Sequence, residues 1–388
     1  MARDRNPYRP GFNHAPLTLA GRDAVLGAVR EALAIAAQEA RTPRPILLVG
    51  GRGVGKTVLL GEAAAIAAEE HAWITVPVEV RPQRPFIPEL VERLAVARDL
   101  YRQVAPGQQL AISGAKVRAS VLGVGAELQW SRPQSAGPAA PLDAALGEAC
   151  LAAAERSAGL LLTLDEVQSA KRAELADITA ALQQHVPDHW PLVVVLAGLP
   201  SIRDTNRRVT YLERGEWHLL GLLDEQATAR ALREPALGGG RPMTDSACRL
   251  LADASGGYPY AIQLLGHHAW RASGGAQRIE ERHAAAAIEA ADAELRAGLY
   301  ESRWYDASPK ERGYLVALAG LLAQGAASDG AAVAAALGRR AREVSYLRDR
   351  LIRKGTIFPS PDGLRLAVPG MAAWILASHG PDVPGDPQ

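Results

Sequence analysis

The chain has 388 residues, 48% of them hydrophobic and 22% charged, and its 43 Lys and Arg nearly balance 42 Asp and Glu. That length accommodates about two to three domains with cores of their own, while a net charge of +1 excludes a protein that coats nucleic acid over its whole surface. No apolar run approaches the roughly 18 residues of a membrane span, the polar, proline-bearing start does not read as a signal peptide, and the isolated Cys150 and Cys248 suit buried thiols better than a disulfide or zinc site, so a cytoplasmic protein is expected.

Residues 1 to about 20 carry Pro7, Pro10 and Pro16 and no hydrophobic period, which predicts an extended segment. Asp23 is a candidate cap for a helix over Ala24 to Ala37, with Val25, Val29, Leu33 and Ile35 on one face. Ile46 to Val49 then reads as a short buried strand and Val58 to Glu69 as the helix it feeds. Between them lies G-x-x-x-x-G-K-T, on Gly50, Gly55, Lys56 and Thr57. Backbone N–H groups of such a glycine-rich turn, with a helix N-terminus behind it, cradle anionic oxygens, and the lysine adds a point charge. The candidate nucleotide contacts are Gly50, Gly51, Arg52, Gly53, Val54, Gly55, Lys56, Thr57 and Val58, with ATP as ligand and Thr57 on Mg²⁺. The helix from Ala24 is then either a packing helix or part of a cover over the base.

Trp73 to Val80 predicts a second strand and Phe86 to Leu100 a helix with Ile87, Leu90, Leu94 and Val96 inward. This alternation signals a parallel sheet with helical crossovers. Across about 107–133 the period changes to two, which predicts a β-hairpin insertion, either an edge ornament or a partner contact; 134–141 is a Ser/Ala/Gly/Pro linker. Leu142 to Ser157 reads as a helix, Leu160 to Leu164 as a buried strand ending in Asp165-Glu166, Leu175 to His185 as a helix, Leu192 to Gly198 as a buried strand and Trp217 to Leu219 as a last short one. A nucleotide hydrolase places its second metal-site carboxylate at such a strand end. Asp165 is the candidate Mg²⁺ ligand and Glu166 the residue that orients or deprotonates water.

The strand ending Ala197-Gly198-Leu199-Pro200 offers no polar side chain for the γ-phosphate water, which predicts slow hydrolysis. Arg203, Arg207, Arg208 and Arg214 follow; Arg214 is the first choice for a finger on a neighbouring protomer's nucleotide and solvated arginines the reading for the rest.

From about 222 the strand signals stop, and Asp224 to Glu234, Thr244 to Ser255, Tyr258 to Ser273 and Ile279 to Tyr300 read as four helices. Ser308-Pro309-Lys310-Glu311 opens another through Ala323. Short and longer helices over Ala331 to Leu337 and Arg339 to Lys354, then two strands around Pro361-Asp362-Gly363, complete the order of a winged helix-turn-helix. The expected domains are 1–221, an ATPase domain with the 107–133 insertion; 222–303, a helical lid; 304–377, a winged helix; and 378–388, a disordered tail. Between 308 and 376 ten basic residues face five acidic ones. With Val344, Leu347 and Leu351 turned to the core, Arg339, Arg342, Tyr346, Asp349, Arg350 and Arg353 share the opposite face, with Arg340 or Lys354 on phosphates. That face suits double-stranded DNA; the alternative is a rigid arm that binds none.

The phosphate loop, the Asp-Glu strand, the helical segment and the winged helix together resemble AAA+ ATPases of the origin-recognition clade and their relatives, the STAND signalling ATPases, over about residues 6 to 376. The layout is similar to bacterial ATP-binding proteins described as origin-recognition-like AAA ATPases. Asn6-Pro7-Tyr8-Arg9-Pro10-Gly11 and Leu19-Ala20-Gly21-Arg22-Asp23 resemble the segment with which these proteins cover adenine, which implies base contacts at Pro10 and Ala20. Gly256-Gly257-Tyr258-Pro259 stands where origin-recognition ATPases usually carry a γ-phosphate-sensing arginine. It is more similar to the G-x-P motif of STAND proteins, which implies that Pro259 meets base and sugar; as bare sequence it is also a helix-start turn. The expected function is an ATP/Mg²⁺-dependent switch, with ATP and ADP as ligands and DNA as partner. Alternatives are a signalling or scaffold ATPase with a protein or homo-oligomeric partner, and an ATPase that loads or regulates a mobile-element or replication enzyme.

Overall fold

The computed structural model describes residues 5–11, 15–39, 41–103, 111–113, 116–121, 124–128, 142–185, 190–202, 210–360 and 362–380. Their contacts group into two compact units, one of Met1–Gly21, Gly50–Gly55 and Leu220–Gln388, the other of Arg22–Val49 and Lys56–Leu219.

The second unit carries the main sheet. Strands β1 (Ile46–Gly50), β2 (Ile74–Glu79), β6 (Leu160–Asp165), β7 (Leu192–Gly198) and β8 (Glu216–Leu220) form one sheet in the order β2-β6-β7-β1-β8, with β2/β6, β6/β7 and β7/β1 parallel. The order follows from composition. β1, β6 and β7 are nearly unbroken apolar runs and are buried along their length, as strands covered on both faces must be. β2 alternates buried and more exposed positions and holds Pro77, which a terminal strand tolerates because one edge needs no donor. Helices α1 (Asp23–Gln38), α2 (Lys56–His71), α3 (Ile87–Gln103), α4 (Leu142–Ala154), α5 (Arg172–His185) and the short α6 (Thr210–Glu213) complete this unit. Asp23 is the first residue of α1 and not its cap, which is Arg22. Ile35 is half-buried; Val25, Val29, Ala32, Leu33 and Ala36 form the inner face instead. On α3, Ile87 and Val96 are only partly buried, and Leu90, Val91, Leu94, Ala97 and Leu100 carry the core contact. Among the described residues of 107–133 there are three antiparallel strands, β3 (Ala111–Ser113), β4 (Lys116–Val121) and β5 (Val124–Leu128). The 134–141 linker lies outside the described residues.

From Glu225 the described residues of the first unit are mainly helical: α7 (Glu225–Gly238), α8 (Asp245–Ser255), α9 (Pro259–Ala272), α10 (Glu281–Leu295), α11 (Glu301–Asp306), α12 (Pro309–Ala323), α13 (Gly330–Ala336), α14 (Ala341–Arg353), the antiparallel pair β9 (Ile357–Ser360) and β10 (Gly363–Leu366), and α15 (Met371–His379). The helix expected to run unbroken to Tyr300 is interrupted by a π-turn at Arg296–Tyr300. The last helix reaches His379; 381–388 lie outside the described residues. One apolar core runs through this unit from Tyr8 to Ile375, so the helices before and after residue 303 share their packing. A cluster of Tyr300, Trp304 and Trp374, with ring centroids 5.7 and 6.1 Å apart, sits within it, and Tyr300 Oη donates to Pro369 O at 2.5 Å. Among the described residues no helix is long and apolar enough to cross a membrane.

Candidate nucleotide site

The site is built at the carboxyl ends of three neighbouring strands, where open parallel sheets place ligands. β1 ends in Gly50 and α2 begins at Lys56, so the sequence between them has strand-to-helix ends fixed by the fold. Lys56 is buried at 5% exposure, while Thr57 is exposed.

Asp165, at the end of β6, receives Thr57 Oγ1 on Oδ2 at 2.5 Å and the Glu166 N–H on Oδ1 at 2.8 Å. Residues 108 apart in sequence thus meet. Burial pushes the Asp165 carboxyl above its ordinary pKa and the Glu166 charge adds to this; the Thr57 and Glu166 N–H hydrogen bonds and Lys56 oppose it. A hydroxyl beside one carboxylate suits Mg²⁺, which takes few protein ligands and keeps waters and phosphate oxygens. Among the described residues no group of three or more His, Cys, Asp or Glu forms a protein-only cage.

Glu166 has φ 54, the left-handed region that a non-glycine residue enters at a cost. Its Oε2 accepts from Gln168 Nε2 at 2.5 Å, and Gln168 Oε1 accepts from Leu199 N, past the end of β7, at 2.9 Å. Sequence reasoning missed Gln168. It explains the bare end of β7: a Cβ at Gly198 would lie 3.0 Å from Gln168 Oε1, so that place is already taken by a polar group from another strand end. The only advance signal is its place two residues beyond the Asp165-Glu166 pair.

In the other unit, Gly53 has φ +79, and a Cβ there would come within 1.9 Å of Tyr258 Oη, which donates to Arg52 O at 3.0 Å. Tyr258 precedes Pro259, the first residue of α9, and is buried while Pro259 is half-buried. The N-terminal segment is fastened to α9: Asn6 Nδ2 donates to His267 O at 3.1 Å and Arg9 N to Gln263 Oε1 at 3.1 Å. Tyr8 Oη donates to Leu232 O, and the ring fills the space a Cβ would need at Gly266. Pro10 is half-buried beside this anchor and Ala20 is buried. Arg214 is exposed just beyond α6; Arg203, Arg207 and Arg208 lie outside the described residues.

On α14, Val344, Leu347 and Leu351 are buried, and Arg342, Tyr346, Arg350 and Arg353 are exposed, with Arg339 and Arg340 exposed ahead of it. Arg350 leans toward the buried Glu311 at 3.5 Å.

Residues 18–195 match the family described as AAA ATPase domain, and the chain is an ATPase that hydrolyses ATP to ADP and phosphate. Residues 297–375 match a domain of unknown function (DUF8462). Among solved structures the chain is similar to Cdc6p from Pyrobaculum aerophilum, at 14% identity and TM-score 0.51 over 94% of each chain, a likeness of fold. It is also similar to the Aeropyrum pernix ORC1 protein in complex with DNA, at 15% identity and TM-score 0.49 over 92% of each chain. A third similar structure is the Thermotoga maritima RuvB Holliday junction branch migration motor, at 17% identity and TM-score 0.47, covering 94% of this chain and 96% of that one. No curated protein matches the chain.

Proposed function

We propose that the protein is a cytoplasmic, origin-recognition-like, STAND-like ATP switch that holds ATP and Mg²⁺ at Gly50–Thr57 and Asp165, turns it over slowly, and binds double-stranded DNA through a winged helix at 304–377. The observation that carries this reading is the Thr57–Asp165 hydrogen bond of 2.5 Å, with Glu166 tied to Gln168 beside it. Backbone N–H groups of the loop and Lys56 hold phosphate oxygens; Thr57 and Asp165 hold the metal. Mg²⁺ supplies charge that offsets what develops on the phosphate oxygens. Glu166 takes the proton of the attacking water, and its bond to Gln168 draws the carboxylate away from that task. Pro10, Ala20 and Pro259 line the base, and Arg214 serves a neighbouring protomer's nucleotide.

For DNA, support comes from the exposed face of Arg339, Arg340, Arg342, Tyr346, Arg350 and Arg353. Arginines on such a helix reach guanine edges or phosphates. A specific observation favours the second reading, a signalling or scaffold ATPase whose arm binds a protein: the C-terminal helices share one core with the helices before them. Fluorescence anisotropy of a labelled duplex against salt separates the two. DNA binding through about six arginines predicts a loss of affinity of about 10³-fold or more between 50 and 200 mM salt. No duplex binding at low salt would leave the protein-partner reading.

A further inference from the structure

Tyr314, on α12, is buried at 1% exposure, and its hydroxyl has no hydrogen-bond partner among the described residues. A buried hydroxyl left unpaired is a cost that folds rarely carry. Its ring lines a cavity of about 460 Å³ between α12, the start of α13 and α14, a size within the range of small-molecule sites. The cavity lies wholly inside residues 297–375, the domain of unknown function, and inside one compact unit. Two guanidinium groups share its wall. Arg348 gives Nε and Nη2 to Asp349 Oδ1 at 3.0 and 2.9 Å, which leaves Nη1 over Gly330, where a Cβ would lie 3.1 Å from it. The Arg342 guanidinium has no partner among the described residues, and Ser345 Oγ reaches only Arg342 O, at 3.4 Å. The one carboxylate in the wall, Asp329, is engaged through Oδ1 with the N–H groups of Ala331 and Ala332 at 2.8 Å each. Burial raises the Tyr314 pKa, Arg348 lowers it, and Asp349 and Asp329 raise it, so the charges that act on the phenol are those of the cavity and its rim.

The unused groups are mostly donors: the Arg342 guanidinium, Arg348 Nη1 and the Tyr314 hydroxyl, with the Ser345 hydroxyl weakly held. Donors of this kind, set around one space, suit the three free oxygens of a phosphoryl group. Ala331, Ala341 and Val344 supply the apolar part of the wall and leave room for a compact organic body. The Tyr314 hydroxyl is closed to water, so a partner must enter the cavity and not rest on its rim as a duplex backbone does. We propose that this cavity binds a small phosphate monoester, with Arg342 and Arg348 on its oxygens and Tyr314 donating from the floor. The site does not rest on the DNA reading above. Arg342 also belongs to the exposed face offered there to DNA, and an occupied cavity withdraws that arginine from it.

The test is isothermal titration calorimetry of phenyl phosphate, benzoate and inorganic phosphate into the full chain. The proposal expects phenyl phosphate to bind with a Kd below about 1 mM, and the other two about tenfold or more weakly. Arg342→Gln and Arg348→Gln each weaken phenyl phosphate about tenfold or more, and Tyr314→Phe about threefold to tenfold. Arg282→Gln makes the same charge change at an exposed place on α10, and Lys56→Ala removes the charge of the phosphate loop; both leave the affinity within about twofold. Without ligand, Tyr314→Phe melts no lower than wild type, since the hydroxyl it removes has no partner. No binding by wild type at about 10 mM overturns the proposal, as does an affinity unchanged in Arg342→Gln, Arg348→Gln and Tyr314→Phe. Inorganic phosphate bound as tightly as the ester overturns it too, and so does an equal loss in Arg282→Gln. A loss in Lys56→Ala puts the probe on the phosphate loop and overturns it in the same way. If Tyr314→Phe melts well below wild type, its hydroxyl serves the fold and the two arginine variants decide.

Discussion

In the proposed site Gln168 matters as much as the residues of the motif do. Its amide holds the Glu166 carboxylate with one end and the Leu199 N–H with the other. A general base contributes about 10²- to 10⁴-fold when free to take a proton, so a tethered one predicts turnover well under the median enzyme rate of about 10 s⁻¹. Glu166→Gln removes the hydrolysis that remains and leaves ATP affinity unchanged. Gln168→Ala raises turnover severalfold in a phosphate-release assay, and a fall would show that Gln168 positions Glu166 for catalysis. The loop gives a second prediction: Gly53→Ala meets both a left-handed φ and the Tyr258 hydroxyl, and weakens ATP binding about tenfold or more. The loop and the Asp-Glu pair were legible because their spacing is local and their strand is an unbroken apolar run. Gln168 and Tyr258 were not, because their partners are backbone atoms 31 and 206 residues away, and a carbonyl or N–H leaves no mark in the sequence.

At the scale of elements, α12 shows how a local signal acquires a distant partner. Ser308 and Glu311 form the capping box that Ser-Pro-Lys-Glu suggests, Ser308 Oγ taking the Glu311 N–H at 3.4 Å and Glu311 Oε2 the Ser308 N–H at 2.7 Å. Glu311 is fully buried and also receives Lys354 Nζ at 2.9 Å, an ion pair invisible in the cap sequence. Burial alone would raise its pKa, but hydrogen bonds from Lys354 and Ser308 outweigh this and hold it below the ordinary 4.5. A lowered folded-state pKa means the stabilisation is present above that ordinary value and is lost as pH falls through the lowered one. Glu311→Gln therefore costs about 1–2 kcal/mol near neutral pH, and its melting temperature converges on that of wild type below pH 4.5. A gap that persists unchanged in acid would show that the charge is immaterial. Helix ends elsewhere were less legible: the π-turn at Arg296–Tyr300 continues a helical hydrophobic pattern and breaks only its hydrogen-bond register.

For the whole molecule, the strand and helix order was legible because parallel strands buried on both faces differ plainly from amphipathic helices. The grouping of Gly50–Gly55 with the C-terminal helices was not, since it depends on contacts such as Tyr258 to Arg52 across 206 residues. That grouping gives the proposed switch its physical content: the first part of the phosphate loop shares a compact unit with the basic helix α14. A ligand shifts such a chain only by binding one arrangement better than another, and the slow turnover proposed above would keep ATP in place long enough to do so. Sedimentation velocity of Glu166→Gln with and without ATP-Mg²⁺, against Lys56→Ala, tests this most directly. The account predicts a sedimentation coefficient that changes with ATP in Glu166→Gln and does not change in Lys56→Ala; identical values with and without bound ATP in Glu166→Gln would contradict it.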